Sequence, residues 1–449
     1  MRGTTKKRAV SSCDRVLVEA HQGRFEGMVM PSSDENTLVL KLPSGYNIGI
    51  HRKNITAMNT VKSFQGGDNA CTATLDQKNM RSPAGMKRGL PTISILHTGG
   101  TIASEVDYGT GGVVARFTPE EIVAMFPELK DIANIRSKLI VNMFSEDMRF
   151  AHYNIMAKEV AKEVKEGSDG VIITHGTDTL GCSAAALSFA LEHIGIPVLL
   201  VGAQRSSDRG SSDAALNLLC AAQFIAHSDF AGVGICMHES VEDSTCVILP
   251  ACKTRKMHTS RRDAFKAVNG TPLARVDSKG NIVVLHHGHE SRDKHKKVRL
   301  RLFKEHLKIG LLKVHPTMYA EEVKKYASFH GLVVEGTGLG HMPVTVVDAH
   351  TAEHKRIMAA ITELAKKMPV VMAAQTVYGR LQMHVYSPGR RLTEAGVIGN
   401  YSDMLSETAF IKLAWVLSNY PKKDVARLMM ENLRGELSVR SLYEETRDA

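Results

Sequence analysis

The sequence predicts an α/β protein in three parts: a small N-terminal β-barrel, a larger domain built on a doubly wound parallel sheet, and a smaller C-terminal α/β domain. Three observations carry this. Between Cys13 and Asn54, short segments rich in Val, Ile and Leu alternate with turn residues. From Thr92 onward, strand-length apolar runs alternate with helix-length amphipathic ones. A shorter run of the same alternation begins at Gly310. The chain has 449 residues, and at roughly 150 residues per domain that length fits two to four domains.

Residues 1–12 read as a basic tail and 13–58 as the barrel. Its segments RVLVEA, RFEGMVM, TLVLKL and YNIGI partly alternate in polarity and are separated by HQG, PSSDEN and PSG. That is the pattern of an antiparallel meander that closes on itself. Residues 59–88 are poor in large apolar groups and read as a linker. In 89–290, TISILH, LIVNMF, GVIITHG, PVLLVGA and GVGICMH read as strands. TPEEIVAMF, NIMAKEVAKEVKEG, TLGCSAAALSFALEHIG and DAALNLLCAAQFIAH read as helices between them. TPEEIVAMF carries its own start signal, with Thr118 as N-cap, Pro119 in the first turn and Glu121 completing a capping box. Strands and helices in alternation imply right-handed crossovers and a parallel sheet. The His-rich basic stretch 291–306 reads as a solvated connector. Residues 307–449 form the second α/β domain, through HGLVVEGTGLGH, PVVMAAQTV and the helix SETAFIKLAWVLSNY.

Composition narrows the function classes. A hydrophobic fraction of 43% excludes a disordered or fibrous chain. Aromatic residues make up 5%, with one Trp, which argues against a surface that stacks exposed bases. The net charge of +10 suits an anionic partner such as RNA, and equally a basic enzyme. The seven cysteines are odd in number and lack zinc-clip spacing, so free thiols in a reducing, cytoplasmic setting are expected. No apolar run approaches the ~20 residues of a membrane helix.

Ligands of doubly wound sheets sit beyond the carboxyl ends of the strands. Three polar clusters fall at such ends: Thr98-Gly99-Gly100-Thr101, Ser145-Glu146-Asp147, and His175-Gly176-Thr177-Asp178-Thr179. The first lacks both the G-x-G-x-x-G pattern and a P-loop lysine, so a phosphate cradle is poorly supported. The third suits acyl chemistry. A Thr hydroxyl becomes nucleophilic at neutral pH only beside a base, and Lys256 is a candidate for that base. Backbone N–H groups of the Gly-rich turns suit an oxyanion. Thr and Asp also cap helices, but three such clusters at successive strand ends favour a site.

TGGTIAS (98–104) and HGTDT (175–179), in this order, resemble the two signatures of the Thr-dependent L-asparaginase family. The resemblance continues through FSEDM, VGAQRSSDRGSSDAALNL and RKMHTSRRDAFKAVN, and covers roughly residues 90–449. The N-terminal meander, VVEGTGLGHMP and the segment from VYSPGRRLTEAGVIGNYSDMLSET onward are similar to the GatD family, a component of archaeal glutamyl-tRNA(Gln) amidotransferases. Simple asparaginases lack the barrel.

The resemblance implies an asparaginase-like fold and a set of roles. Thr101 matches the primary nucleophile, Tyr108 the mobile-loop tyrosine beside it, and Thr98 a structural position. Thr177, Asp178 and Lys256 match a second catalytic group, with Lys256 preferred to Lys253 by its spacing to Phe265. Ser145 and Glu146 match the groups that hold the substrate's carboxylate and amino group, and Gly100 a close backbone approach. His175 is expected to be a positioned structural histidine. GTGLGH (336–341) departs from the usual asparaginase version, so contacts across a dimer stay unassigned.

The implied function is hydrolysis of glutamine, or of asparagine, through a Thr ester. The ammonia would pass to the tRNA-amidating partner, the E component of the amidotransferase. That partner would use ATP and Mg²⁺ to convert Glu-tRNA(Gln) to Gln-tRNA(Gln), so no cofactor is expected in this chain. The expected assembly is a cytoplasmic heterotetramer around a homodimer of this chain, without membrane contact. The alternatives are a free-standing asparaginase/glutaminase and a non-catalytic RNA-binding scaffold.

Overall fold

The computed structural model describes residues 14–21, 23–30, 36–42, 47–62, 87–100, 104–107, 112–115, 125–206 and 211–440. The expected helix TPEEIVAMF lies almost wholly outside them, as do Thr101 and Tyr108.

The N-terminal meander is a five-stranded antiparallel sheet. Its strands are β1 (Arg15–Ala20), β2 (Gly23–Met30), β3 (Thr37–Lys41), β4 (Asn47–His51) and β5 (Ile55–Lys62), in the order β4-β3-β2-β1-β5. Period-two alternation puts Val16 and Val18 inside, where they meet Val29, Leu38, Leu40 and Ile50. Among the described residues β4 and β5 are not paired with each other, so the expected barrel closure is not part of the ladder. Strand β5 also runs past the expected domain end at 58 to Lys62. Asn59 and Thr60 in this extension are polar and exposed, which gives it the composition of a linker.

The central sheet holds β6 (Thr92–His97), β7 (Asn134–Leu139), β8 (Gly170–Thr174), β9 (Pro197–Val201), β10 (Phe230–His238) and β11 (Thr245–Pro250). The ribbon β12 (Thr254–Lys256) and β13 (Phe265–Ala267) stands apart from it, β14 (Ala274–Asp277) and β15 (Ile282–Val284) extend the sheet, and the short strand Glu290–Ser291 pairs with the start of β10. The order is β15-β14-β11-β10-β9-β8-β6-β7. The five strands β7-β6-β8-β9-β10 are parallel; β11, β14 and β15 are antiparallel additions. The sheet is therefore mixed rather than wholly parallel. The physical reason is local: only the short loop 239–244 separates β10 from β11, and a parallel return needs a crossover of a dozen residues or more. The strand expected at LIVNMF begins earlier, at Asn134, so that NIRSKL pairs with β6 and VNMF passes beyond the sheet toward the site.

Helices α1 (Phe150–Lys165) and α2 (Leu180–Ala190) cover one face, and α3 (Ala214–His227) the other. Strands β8 and β9 are buried along their whole length, which is why GVIIT and PVLLV are continuous apolar runs. The C-terminal domain has a parallel sheet of β16 (Ile309–Lys313), β17 (Gly331–Gly336) and β18 (Val370–Ala374), with the amphipathic α4 (Glu353–Lys367) packed on it. Helix α5 (Ser387–Glu394) follows, then α6 (Ser406–Asn419) and α7 (Val425–Met430). Buried Trp415 of α6 lies 5.3 Å from Phe189 of α2, ring to ring, and joins the two domains in one core. A short strand, Glu290–Ser291, straddles the start of the expected connector, and another, Arg299–Leu300, lies within it. The five described cysteines are free thiols. Among the described residues no helix is long and apolar enough to cross a membrane.

Candidate active site

Among the parallel strands, β6, β7, β8, β9 and β10 follow one another in the chain but lie in the order β7-β6-β8-β9-β10. The direction of winding reverses between β6 and β8, and doubly wound sheets take their ligands at the carboxyl ends beside such a point. The two Gly-containing turns follow these two strands. Strand register pairs Thr174 with His97, so the turns leave the sheet side by side.

Their approach is close enough to require glycine. Gly99 and Gly100 have φ of +94° and +80°. A Cβ on Gly100 would lie 2.5 Å from the Gly176 nitrogen, and one on Gly99 would lie 2.7 Å from the backbone of Met143. A Cβ on Gly176 would come within 2.8 Å of the Ser145 Cβ. Three chain segments thus meet at backbone contact.

Thr98 is fully buried and donates its hydroxyl hydrogen to the Thr174 carbonyl at 2.8 Å, a structural bond. His175 is buried between the Gly176 carbonyl (2.7 Å) and the Ser183 hydroxyl (2.8 Å). Burial pushes its pKa down to about 4, so it is neutral and holds the turn.

The titratable cluster stands beyond these turns. Lys256 Nζ lies 2.9 Å from Thr177 Oγ1 and 2.7 Å from Asp178 Oδ1. Thr177 is 7% exposed, while the Asp178 side chain is 65% exposed, so the hydroxyl is sheltered and the carboxylate faces solvent. As an ammonium, Lys256 donates to both neighbours. As an amine, it keeps the bond to Asp178 and accepts the Thr177 hydroxyl proton, the first requirement of a Thr nucleophile. Lys253 does not approach Thr177; it is buried against Asp403.

Ser145 is buried at the head of a 3-10 turn, Ser145–Asp147. Its Oγ accepts a long bond from the Thr179 backbone N–H (3.4 Å), and its carbonyl accepts the Thr179 hydroxyl at 2.6 Å. Glu146 in the same turn is exposed. The described residues thus bring Gly100, Ser145, Thr177, Asp178 and Lys256 into one region, with Glu146 at its edge.

One supporting network had no signature in the sequence. The Asn217 side chain donates to the Gly202 carbonyl at 3.0 Å, and its oxygen lies 2.7 Å from His238 Nδ1. His238 Nε2 in turn reaches Asp243 at 3.1 Å. The network braces the end of β9, where Gly202 packs on Thr177. Its members are ordinary residues of a helix, a strand and a loop, and only folding assembles them.

Known proteins share this fold. A family model described as "Asparaginase, N-terminal" matches residues 92–289, and a "Glutaminase/Asparaginase C-terminal domain" model matches 308–430. Among solved structures, the thermostable L-asparaginase from Thermococcus kodakarensis superimposes with a TM-score of 0.66 at 28% identity. It covers 78% of this chain and all of its own length. L-asparaginase I from Vibrio cholerae does so with 0.66 at 26%, over the same shares. The fold is of the asparaginase class.

A third model, "GatD N-terminal domain", matches residues 10–60. The GatD subunit of the Thermococcus kodakarensis glutamyl-tRNA(Gln) amidotransferase is 44% identical over 92% of this chain and 90% of its own. That of Pyrococcus furiosus is 42% identical over 92% and 91%, and that of Methanococcus maripaludis 40% over 95% and 97%. The chain belongs to the GatD family of glutamyl-tRNA(Gln) amidotransferase subunits.

Proposed function

We propose that the chain is the amidohydrolase subunit of a glutamyl-tRNA(Gln) amidotransferase, releasing ammonia from the side-chain amide of glutamine or asparagine. The observation that carries this is the double contact of Lys256 with Thr177 and Asp178 at the carboxyl end of β8, beside the glycine turn that follows β6. Family membership over nearly the whole chain supports the particular reaction.

In this reading the Thr101 hydroxyl, in the segment after Gly100, attacks the carboxamide carbon and the amide nitrogen leaves as ammonia. Water then cleaves the Thr ester and restores the hydroxyl. Lys256 moves the Thr177 proton and Asp178 orients the lysine. Ser145, Glu146 and Tyr108 bind the amino-acid substrate, and the N–H groups of the turn at Gly100 stabilise the oxyanion. The ammonia goes to the tRNA-amidating E component, which activates Glu-tRNA(Gln) with ATP and Mg²⁺; this chain needs no cofactor. A cytoplasmic heterotetramer around a dimer of this chain completes the proposal.

The test is ammonia release from glutamine by the full chain, with and without the E component and Glu-tRNA(Gln). Stimulation by the pair is expected. Full activity without them makes the chain a free-standing asparaginase/glutaminase, and no release in either case removes the amidohydrolase reading.

A further inference from the structure

Lys256 is presented by a very small element. The ribbon β12–β13 has three residues in each arm, and isolated two-stranded ribbons are marginal in water. Something else must hold it still.

At its root stands Lys253, whose side chain is 7% exposed. Its ammonium has three acceptors: the Asn269 carbonyl at 2.8 Å, Asp403 Oδ2 at 2.8 Å and Ser438 Oγ at 2.9 Å. The other oxygen of Asp403, 3% exposed, accepts the Ser438 N–H at 3.0 Å. Asn269, just past the far arm, adopts φ of 53° and binds the same region. Its amide donates to the Asp403 carbonyl (2.9 Å) and the Gly379 carbonyl (3.3 Å), and its side-chain oxygen accepts the Gly379 N–H (2.9 Å). Two further ties flank the lysine: Thr408 donates to the Cys252 carbonyl at 2.8 Å, and Arg255 pairs with Glu407 at 3.3 Å. Apart from Asn269 itself, each partner of the ribbon in this set belongs to the C-terminal domain or its closing segment.

We infer that Lys253, Asp403 and Asn269 are positioning residues through which the C-terminal domain sets the place of Lys256 against Thr177. The inference rests on the amidohydrolase reading above. A buried ammonium with three fixed acceptors, one of them a carboxylate, admits one geometry, so the ribbon root cannot drift without breaking all of them. The step from Lys253 to Lys256 spans one strand of three residues, so a displacement at the root shifts the backbone that presents the amine. Near-attack geometry is sensitive at this scale: a misplacement of about 1 Å costs about a hundredfold in rate.

The experiment uses the full chain in complex with the E component and measures glutamine hydrolysis. The variant Lys253→Met/Asp403→Asn removes both charges together. The milder Asn269→Gly keeps the ion pair and tolerates the positive φ. A remote control, Leu364→Ala in α4, lowers stability without touching the ribbon. The expected result is a kcat about 10- to 100-fold lower in the double variant and several-fold lower in Asn269→Gly, with KM for glutamine changed less than about twofold, while Leu364→Ala keeps its kcat. A folded Asn269→Gly with wild-type kcat, or a loss no larger than that of Leu364→Ala, overturns the inference. Inactivity of the wild-type complex on both glutamine and asparagine strikes the amidohydrolase reading instead, so the two failures are distinct.

Discussion

Gly100 and Gly176 touch backbone to backbone: a methyl group added to Gly100 would stand 2.5 Å from the Gly176 nitrogen. The contact brings the turn after β6 against the turn after β8 and leaves no room for a side chain between them. Gly100→Ala should therefore act through both strain and displacement. A left-handed φ costs a residue with a side chain about 1–2 kcal/mol, and the overlap must move one turn. We expect a stability loss of at least about 2 kcal/mol in urea unfolding and a fall in glutamine hydrolysis of about a hundredfold. Wild-type activity in Gly100→Ala would show that the turn does not shape the site.

The Lys256 contact to Thr177 leads to a prediction on the chemistry. Thr177→Ala and Lys256→Met should each lower glutamine-dependent amidation by at least about 10²–10⁴-fold, the range of a lost proton-transfer group. Amidation driven by added ammonium salt should survive in both, because the amide-cleaving step is bypassed. Thr101→Ala should behave in the same way. Loss of the ammonium-driven reaction would mean that the substitutions damage assembly instead.

Two buried histidines make stability depend on pH. Burial pushes the pKa of His97 down to about 3 and that of His175 down to about 4. Each folded value lies below the unfolded value of about 6.5, so the unfolded chain binds more protons between them. Stability is then full above about pH 6.5 and falls as the pH drops toward 4. The combined loss is on the order of several kcal/mol. Urea midpoints measured from pH 7 to pH 4 should decline steadily; a level profile over that interval would contradict the assignment of both rings as neutral.

Lys412 and Glu436 form an ion pair at 2.6 Å in which neither side chain is exposed. The lysine also donates to the carbonyls of Met429 (3.1 Å) and Glu431 (2.6 Å), fixing the end of α7 and the residue after it to α6. Burial lowers the pKa of Lys412, and Glu436 opposes that shift. Lys412→Met alone strands a buried carboxylate and should destabilise by about 3–5 kcal/mol. Lys412→Met/Glu436→Gln removes both charges and should recover most of the loss. If the double variant is as unstable as the single one, packing and not the charge explains the site.

Much of the protein was legible from its residues. The strand-and-helix rhythm is a matter of local apolar periodicity, and GVIIT and PVLLV are continuous because both faces of their strands are covered. TGGT and HGTDT could be placed at strand ends for the same reason. Lys256 was separable from Lys253 only through the spacing to Phe265 in the family resemblance; the fold puts Lys253 on Asp403 and Lys256 on Thr177. The antiparallel part of the sheet escaped the reading because a strand's direction depends on the length of its connection. The placement of β7 escaped it because NIRSKL is half polar while LIVNMF looks like a buried strand.

The sequence by itself determined which groups are available: two threonines, an aspartate and a lysine, with turns beside them that only glycine can form. The tertiary structure decided where Thr177, Asp178 and Lys256 stand. Strand order places β6 beside β8 although another strand and helix lie between them in the chain, and the C-terminal domain grips the ribbon that carries Lys256. Local patterns encode periodicity and turn chemistry because neighbours in the chain interact directly. The meeting of Gly100 with Gly176, or of Lys253 with Asp403, depends on close packing of distant segments, which no local pattern records.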